Sequence, residues 1–188
     1  MFPLVLAAIE EINDPKERDV VEKLFEEYAN IEVNCYVASE YRYQTNFFGK
    51  KSIVIFISQS GETADTLACL RKVKQAKIDT LAIVNAEGSS IAREADNVMY
   101  TWAGPEIAVA TTKAYSAQLI ALYLLSLKFA DVRGKLAEDE LASYIKDLKT
   151  QKLPFGILSR SNQYLDFILP ATVRSTDVIK TILWNPWM

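Results

Sequence analysis

The sequence predicts an α/β fold, a parallel sheet with helices on both faces. Three observations carry that prediction. Residues 52–57 are apolar without a break after Ser52, as in a strand covered on both faces. The short β-like runs 80–84 and 97–101 alternate with helical patterns at the spacing of βαβ units. The 188 residues are 50% hydrophobic and 24% charged, a globular composition long enough for one domain with a core.

Taken in order, residues 4–9 form an apolar run whose type, strand or helical turn, periodicity leaves open. Asp14-Pro15 starts a helix, with Asp14 as N-cap and Pro15 at the first helical position. Val20, Val21, Leu24, Phe25 and Tyr28 continue it at helical spacing. Ile31, Val33, Cys35 and Val37 alternate, which predicts a half-buried strand. Behind strand 52–57 a helix presents Ala64, Leu67, Leu70 and Val73 inward, and Arg71, Lys72 and Lys74 complement its C-terminal dipole. Strand 80–84, a short helix opened by Ser89-Ser90, and strand 97–101 follow.

A long helix is predicted over 111–129. Ala114, Ala117, Ala121, Leu124 and Leu125 make one stripe, but Ile120, Leu122, Tyr123 and Leu127 are apolar too. Such a helix is central or lies at a subunit interface, which predicts a homo-oligomer. Ser116, Gln118, Ser126 and the flanking lysines leave it short of a membrane span, so no membrane partner is expected. Gly134 marks a stop, and 137–150 reads as a more polar last helix. Residues 1–150 are thus one domain. Residues 151–188 contain no Glu and hold two of the three tryptophans, in an aperiodic end, Leu183-Trp184-Asn185-Pro186-Trp187-Met188. Two readings of this tail stand, a docking segment or a non-native extension.

The net charge of −3 offers no broad basic surface, so no nucleic-acid partner is expected. Cys35 and Cys69 lack metal spacing and read as buried thiols of a reducing compartment. The opening residues lack a basic signal-peptide start, which makes the cytoplasm the expected location. There is no histidine, which removes the commonest acid–base group near neutral pH and the commonest metal ligand. No carboxylate cluster has ligand spacing; no metal and no cofactor are expected.

The chemistry-bearing stretch is Ser58-Gln59-Ser60-Gly61-Glu62-Thr63-Ala64-Asp65-Thr66, directly after the buried run. It reads as a strand ending in a hydroxyl-rich turn that opens a helix, where backbone N–H groups and partial positive charge suit a phosphate. Ser58, Ser60 and Thr63 each offer an O–H, Gln59 an amide, and Gly61 a close approach of the chain. Glu62 and Asp65 lie in the same first turn and would repel an anion, by about 4 kcal/mol for unit charges at ~4 Å and an effective dielectric near 20. The reading therefore requires both carboxylates to face away. Lys113 reads as a solvated lysine rather than a nucleophile, Glu106 as a cap or inter-subunit hydrogen bond rather than a base, and Tyr36, Tyr41 and Tyr43 as packing residues. No catalytic residue is assigned.

Four motifs in order carry a resemblance: Val37-Ala38-Ser39-Glu40-Tyr41-Arg42-Tyr43; the Ser58–Thr66 stretch; Ile83-Val84-Asn85 through Gly88-Ser89-Ser90-Ile91-Ala92-Arg93-Glu94-Ala95-Asp96; and the segment from Thr101-Trp102-Ala103-Gly104-Pro105-Glu106 through Val109 to Tyr115. Over about residues 20–150 they resemble the first sugar-isomerase (SIS) half of the glutamine–fructose-6-phosphate aminotransferase family. The resemblance implies a doubly wound, three-layer fold with a five-stranded parallel sheet. It implies that Ser58, Gln59, Ser60 and Thr63 hold the phosphate of fructose 6-phosphate and that Val109 meets the sugar through its backbone. Two departures stand. The family's Cys-Gly-Thr-Ser-like turn after the opening strand is replaced by Ile12-Asn13-Asp14-Pro15-Lys16. The motifs of the ammonia-generating domain and of the second SIS half are not matched, which implies a truncated copy, incomplete for catalysis alone and partnered by a missing second half or by its own copies. Whether the chain is an enzyme stays open, beside two rivals: a stand-alone SIS regulatory module and a small ketose or aldose phosphate isomerase.

Overall fold

The computed structural model describes residues 4–9, 15–44, 52–104 and 112–150. Five strands and six helices follow one another: β1 (Leu4–Ile9), α1 (Pro15–Ala29), β2 (Val33–Tyr36), α2 (Ala38–Tyr41), β3 (Ile53–Ser58), α3 (Ala64–Gln75), β4 (Asp79–Val84), α4 (Ser90–Glu94), β5 (Asn97–Tyr100), α5 (Thr112–Val132) and α6 (Glu138–Thr150). The apolar run left open by periodicity is a strand. It pairs in parallel with both β2 and β3, and β3 pairs with β4 and β4 with β5, all in parallel.

The sheet order is β2-β1-β3-β4-β5. The chain winds outward from β1 in one direction and from β3 in the other, so the order reverses between these two neighbours. Ligands of open α/β sheets bind outside the C-terminal strand ends at such a switch point. Ser58 pairs with Val84, and Val84 with Tyr100, so three consecutive strands stop on one line.

Every residue of β3 is buried, as its apolar run predicts. Ile53, Ile55 and Ile57 face a cluster with Val21, Phe25 and Ala29 of α1 and Ala121, Leu122 and Leu125 of α5. Val54 and Phe56 face the opposite cluster, with Ala38 and Tyr41 of α2, Cys69, Leu70 and Val73 of α3, and Ile91 of α4. Alternation of side chains across one strand thereby feeds both outer layers of the predicted three. Within α3, Leu70 and Val73 are buried as expected, but Ala64, the first residue of the helix, is exposed. Tyr41 is buried, whereas Tyr43 is 80% exposed and packs only under the Arg42 guanidinium, 5.6 Å from its ring. Of the core or interface packing expected of it, the core part does not hold.

The helix α5 is apolar on two sides for a reason within the chain. Ala121, Leu122 and Leu125 meet the sheet cluster, while Ala117, Ile120, Leu124 and Leu127 pack against Leu141 and Ile145 of α6. The last helix covers the surface from which an oligomer was inferred, so that inference no longer follows from α5. No helix among the described residues is long and apolar enough to cross a membrane. Asp14, the 10–14 turn, Glu106, Val109, the Lys113 side chain and the tail 151–188 lie outside the described residues.

Candidate sugar-phosphate site

The loop that leaves β3 turns sharply at Gly61, whose φ is +65°. A Cβ there would lie 2.0 Å from Ser89 Oγ and 2.6 Å from Ser89 Cβ, so only glycine lets the loop settle on α4. The Gly61 carbonyl accepts the Ile91 N–H at 2.9 Å, and Glu62 Oε1 accepts the Ser90 N–H at 2.8 Å. The loop is thereby tied to the N-terminus of α4 by backbone, side chain and steric contact.

Three hydroxyls gather at this turn. Ser58 Oγ is buried at the end of β3 and lies 3.1 Å from Thr63 Oγ1. It also accepts the Gly61 N–H at 3.0 Å, and the exposed Ser60 accepts the Glu62 N–H through Oγ at 3.2 Å. The Gly61 and Glu62 amides are therefore partnered by the loop's own hydroxyls. The start of α3 differs. Thr63 is its N-cap, with no side-chain cap bond, and the Leu67 N–H donates to Thr63 O at 2.9 Å. The amides before Leu67 in that turn have no acceptor within the helix, and they carry its positive end.

The two carboxylates that opposed an anion are both engaged elsewhere. Hydrogen bonds from Ser90, its side chain first and its backbone next, hold the Glu62 carboxyl below the usual glutamate range, with Arg93 adding to the effect. Asp65 Oδ1 pairs with Arg42 Nη1 at 2.9 Å. Each carboxylate thus has a partner of its own in the fold.

Beside this loop lies an open cleft of about 360 Å³, lined by Gln59, Asn85, Ala86, Trp102 and Gly104. Its floor is made by Asn85, immediately after β4. Asn85 Nδ2 donates to Gly104 O at 2.8 Å, and Oδ1 accepts the Ala103 N–H at 2.8 Å and the Thr101 O–H at 3.2 Å. Trp102 sits at φ +52°, with its ring 5.5 Å from that of Tyr100. Sequence reasoning brought together Ser58, Gln59, Ser60 and Thr63 but missed Asn85 and Trp102. The available signal for Asn85 was weak: it is a polar residue directly after an apolar strand, the position Gln59 holds after β3. Among the described residues, no group of three or more Asp, Glu or Cys is placed to hold a metal ion.

The family model described as SIS domain matches residues 20–128, more than half of the chain. The chain belongs to the SIS-domain family. Its likeness to the aminotransferase branch holds in sequence and in structure. The glutamine–fructose-6-phosphate aminotransferase (isomerizing) of Caldanaerobacter subterraneus subsp. tengcongensis is 51% identical over 131 residues, 70% of this chain and 21% of that protein. The C-terminal domain of glucosamine-fructose-6-phosphate aminotransferase from Francisella tularensis superposes with a TM-score of 0.72 at 37% identity, covering 79% of this chain and 41% of that one. Glucosamine-6-phosphate deaminase from Thermotoga maritima, 20% identical with a TM-score of 0.61, shares the SIS fold over 87% of this chain and 45% of its own. The chain spans about a fifth of the length of the curated relatives it matches.

Proposed function

We propose that this SIS domain binds a sugar phosphate at the C-terminal edge of its sheet, with fructose 6-phosphate as the first candidate. Ser58, Gln59, Ser60 and Thr63 take the phosphate, and the sugar extends toward the β5–α5 connection, where the Val109 backbone meets it. One observation carries the reading: the hydroxyls of Ser58, Ser60 and Thr63 lie in one turn at the C-terminal end of β3, while Glu62 and Asp65 are drawn onto Ser90 and Arg42. A phosphate would replace the loop's internal hydroxyl–amide bonds with charge-assisted ones, which are stronger. The names of the relatives, an isomerising aminotransferase among them, support a hexose phosphate as the ligand class.

The chain's own part is recognition. Opening and isomerising a sugar needs a positioned acid–base pair, and among the described residues the cleft is lined by Gln59, Asn85, Ala86, Trp102 and Gly104, none of which titrates near neutral pH. Amino transfer therefore falls to groups beyond these, supplied by a second SIS half or by a partner copy. The setting is the cytoplasm, where such esters are held, and the domain is the unit 1–150.

A thermal-shift titration with fructose 6-phosphate and glucosamine 6-phosphate tests the reading, because a ligand that binds only the folded state raises the melting temperature. Wild type should shift, and Ser60→Ala and Thr63→Ala should shift less. Equal shifts in all three proteins would remove these residues from the site, and turnover of a ketose phosphate by the purified chain would replace recognition with isomerase activity.

A further inference from the structure

We propose that Asn85 is the positioning residue that sets the sugar-side loop against the phosphate-side loop, so that the site selects a sugar ester over a bare anion. The proposal rests on the sugar-phosphate reading above. Asn85 touches both walls of the cleft. Its backbone N–H donates to Gln59 O at 3.1 Å, on the loop after β3. Its side chain makes the three bonds to Thr101, Ala103 and Gly104, on the loop after β5.

The chemistry of the side chain explains why asparagine stands there. The task needs a donor and an acceptor on one short planar group, since Gly104 presents a carbonyl and Ala103 an N–H. Aspartate would keep the acceptor bonds but turn a second oxygen on the Gly104 carbonyl. The segment held this way contains Trp102 in the left-handed region, a conformation that a bulky residue keeps only when its surroundings over-determine it. Without the clamp, Trp102 and Gly104 relax and the sugar-side wall moves. The phosphate-side loop keeps its own ties, because the bonds of Ser58, Ser60 and Glu62 do not pass through the Asn85 side chain.

The test compares two ligands on the full chain. Fructose 6-phosphate and inorganic phosphate are titrated calorimetrically into wild type, Asn85→Ala and Asn85→Asp, and amide exchange is followed over residues 101–104. Loss of the clamp's hydrogen bonds should weaken fructose 6-phosphate about tenfold in Asn85→Ala, leave inorganic phosphate unchanged and speed exchange at 101–104. Asn85→Asp should fall between the two. Equal weakening of both ligands would mark a merely structural residue and overturn the proposal, as would unchanged binding of both. Should wild type bind neither ligand, the sugar-phosphate reading itself falls and takes this role with it, an outcome distinct from a wild type that binds while the variants match it. If Asn85→Ala does not fold, Thr101→Val removes one bond of the same clamp and carries the comparison.

Discussion

Glu62 Oε1 accepts the Ser90 backbone N–H at 2.8 Å, across a sequence separation of 28 residues. A carboxylate beside a turn proposed to hold an anion would ordinarily be a liability. Here it supplies the first turn of α4 with an acceptor and ties down the loop after β3.

Replacing Glu62 by alanine should lower the melting temperature and weaken fructose 6-phosphate, although the change removes a negative charge from the site. Glu62→Gln keeps the acceptor and should restore both. Melting curves and ligand titrations of the two variants decide the matter. Tighter binding in Glu62→Ala would show that the charge matters more than the tie.

Gly61→Ala should cost about 1–3 kcal/mol in denaturant unfolding, since a positive φ and an overlap with Ser89 act together. Ser89→Ala should cost nothing. Ser89 is the N-cap of α4 but makes no side-chain cap bond, and its hydroxyl is buried without a hydrogen-bond partner. The loss of about 1 kcal/mol usual for a serine cap is therefore not expected.

Arg42→Ala should weaken phosphate-ester binding by about threefold at low salt, because it leaves Asp65 uncompensated in the first turn of α3, and salt should erase the difference. Asp65→Asn should act in the opposite direction. Titrations at two ionic strengths read both effects.

Leu141→Ala should destabilise by about 2–4 kcal/mol, the usual cost of emptying a buried leucine site. Leu141→Asp should also uncover Ile120, Leu124 and Leu127 on α5. Sedimentation should then show self-association of the variant beyond that of wild type.

Asp96 predicts an acid limb of stability. Burial pushes its carboxyl up, but hydrogen bonds from Lys74 and Thr80 outweigh that and hold it below the usual aspartate range. Lys74 Nζ lies 2.6 Å from Oδ1, and the Thr80 hydroxyl donates to Oδ2 at 2.7 Å. A depressed carboxyl stabilises fully above its unfolded value, about 3.9, and that contribution is lost as pH falls through its lower folded value. Asp96→Asn should melt lower than wild type near neutral pH, and the gap should close on acidification below about pH 4.

Much of this architecture was legible in the chain. The unbroken apolar run of β3 announced a strand covered on both faces, and Ser58 to Thr63 announced the turn after it. What the pattern could not show were relationships between distant segments. The two-sided apolarity of α5 looked like a subunit contact, because nothing in its period says that α6 folds back over Leu124 and Leu127. Ala64 has inward spacing but is exposed at the very start of its helix. Asn85 shows in sequence only as a polar residue after an apolar strand, since its bonds run to two loops that only the β3–β4–β5 register brings to either side of it. The carboxylates of Glu62 and Asp65 likewise depend on partners far along the chain.

The alignment of Ser58, Val84 and Tyr100 bears on how this protein could be altered. On the proposed sugar-phosphate reading, ligand preference would rest in short segments that begin at a common rim, while the buried β-ladder lies beneath them. Grafting a different connection after Tyr100 is thus a conservative way to seek a new ligand preference. A single-residue deletion within β4 would be far harsher, since it would drag Asn85 down from the rim and flip the alternating faces of the strand at once.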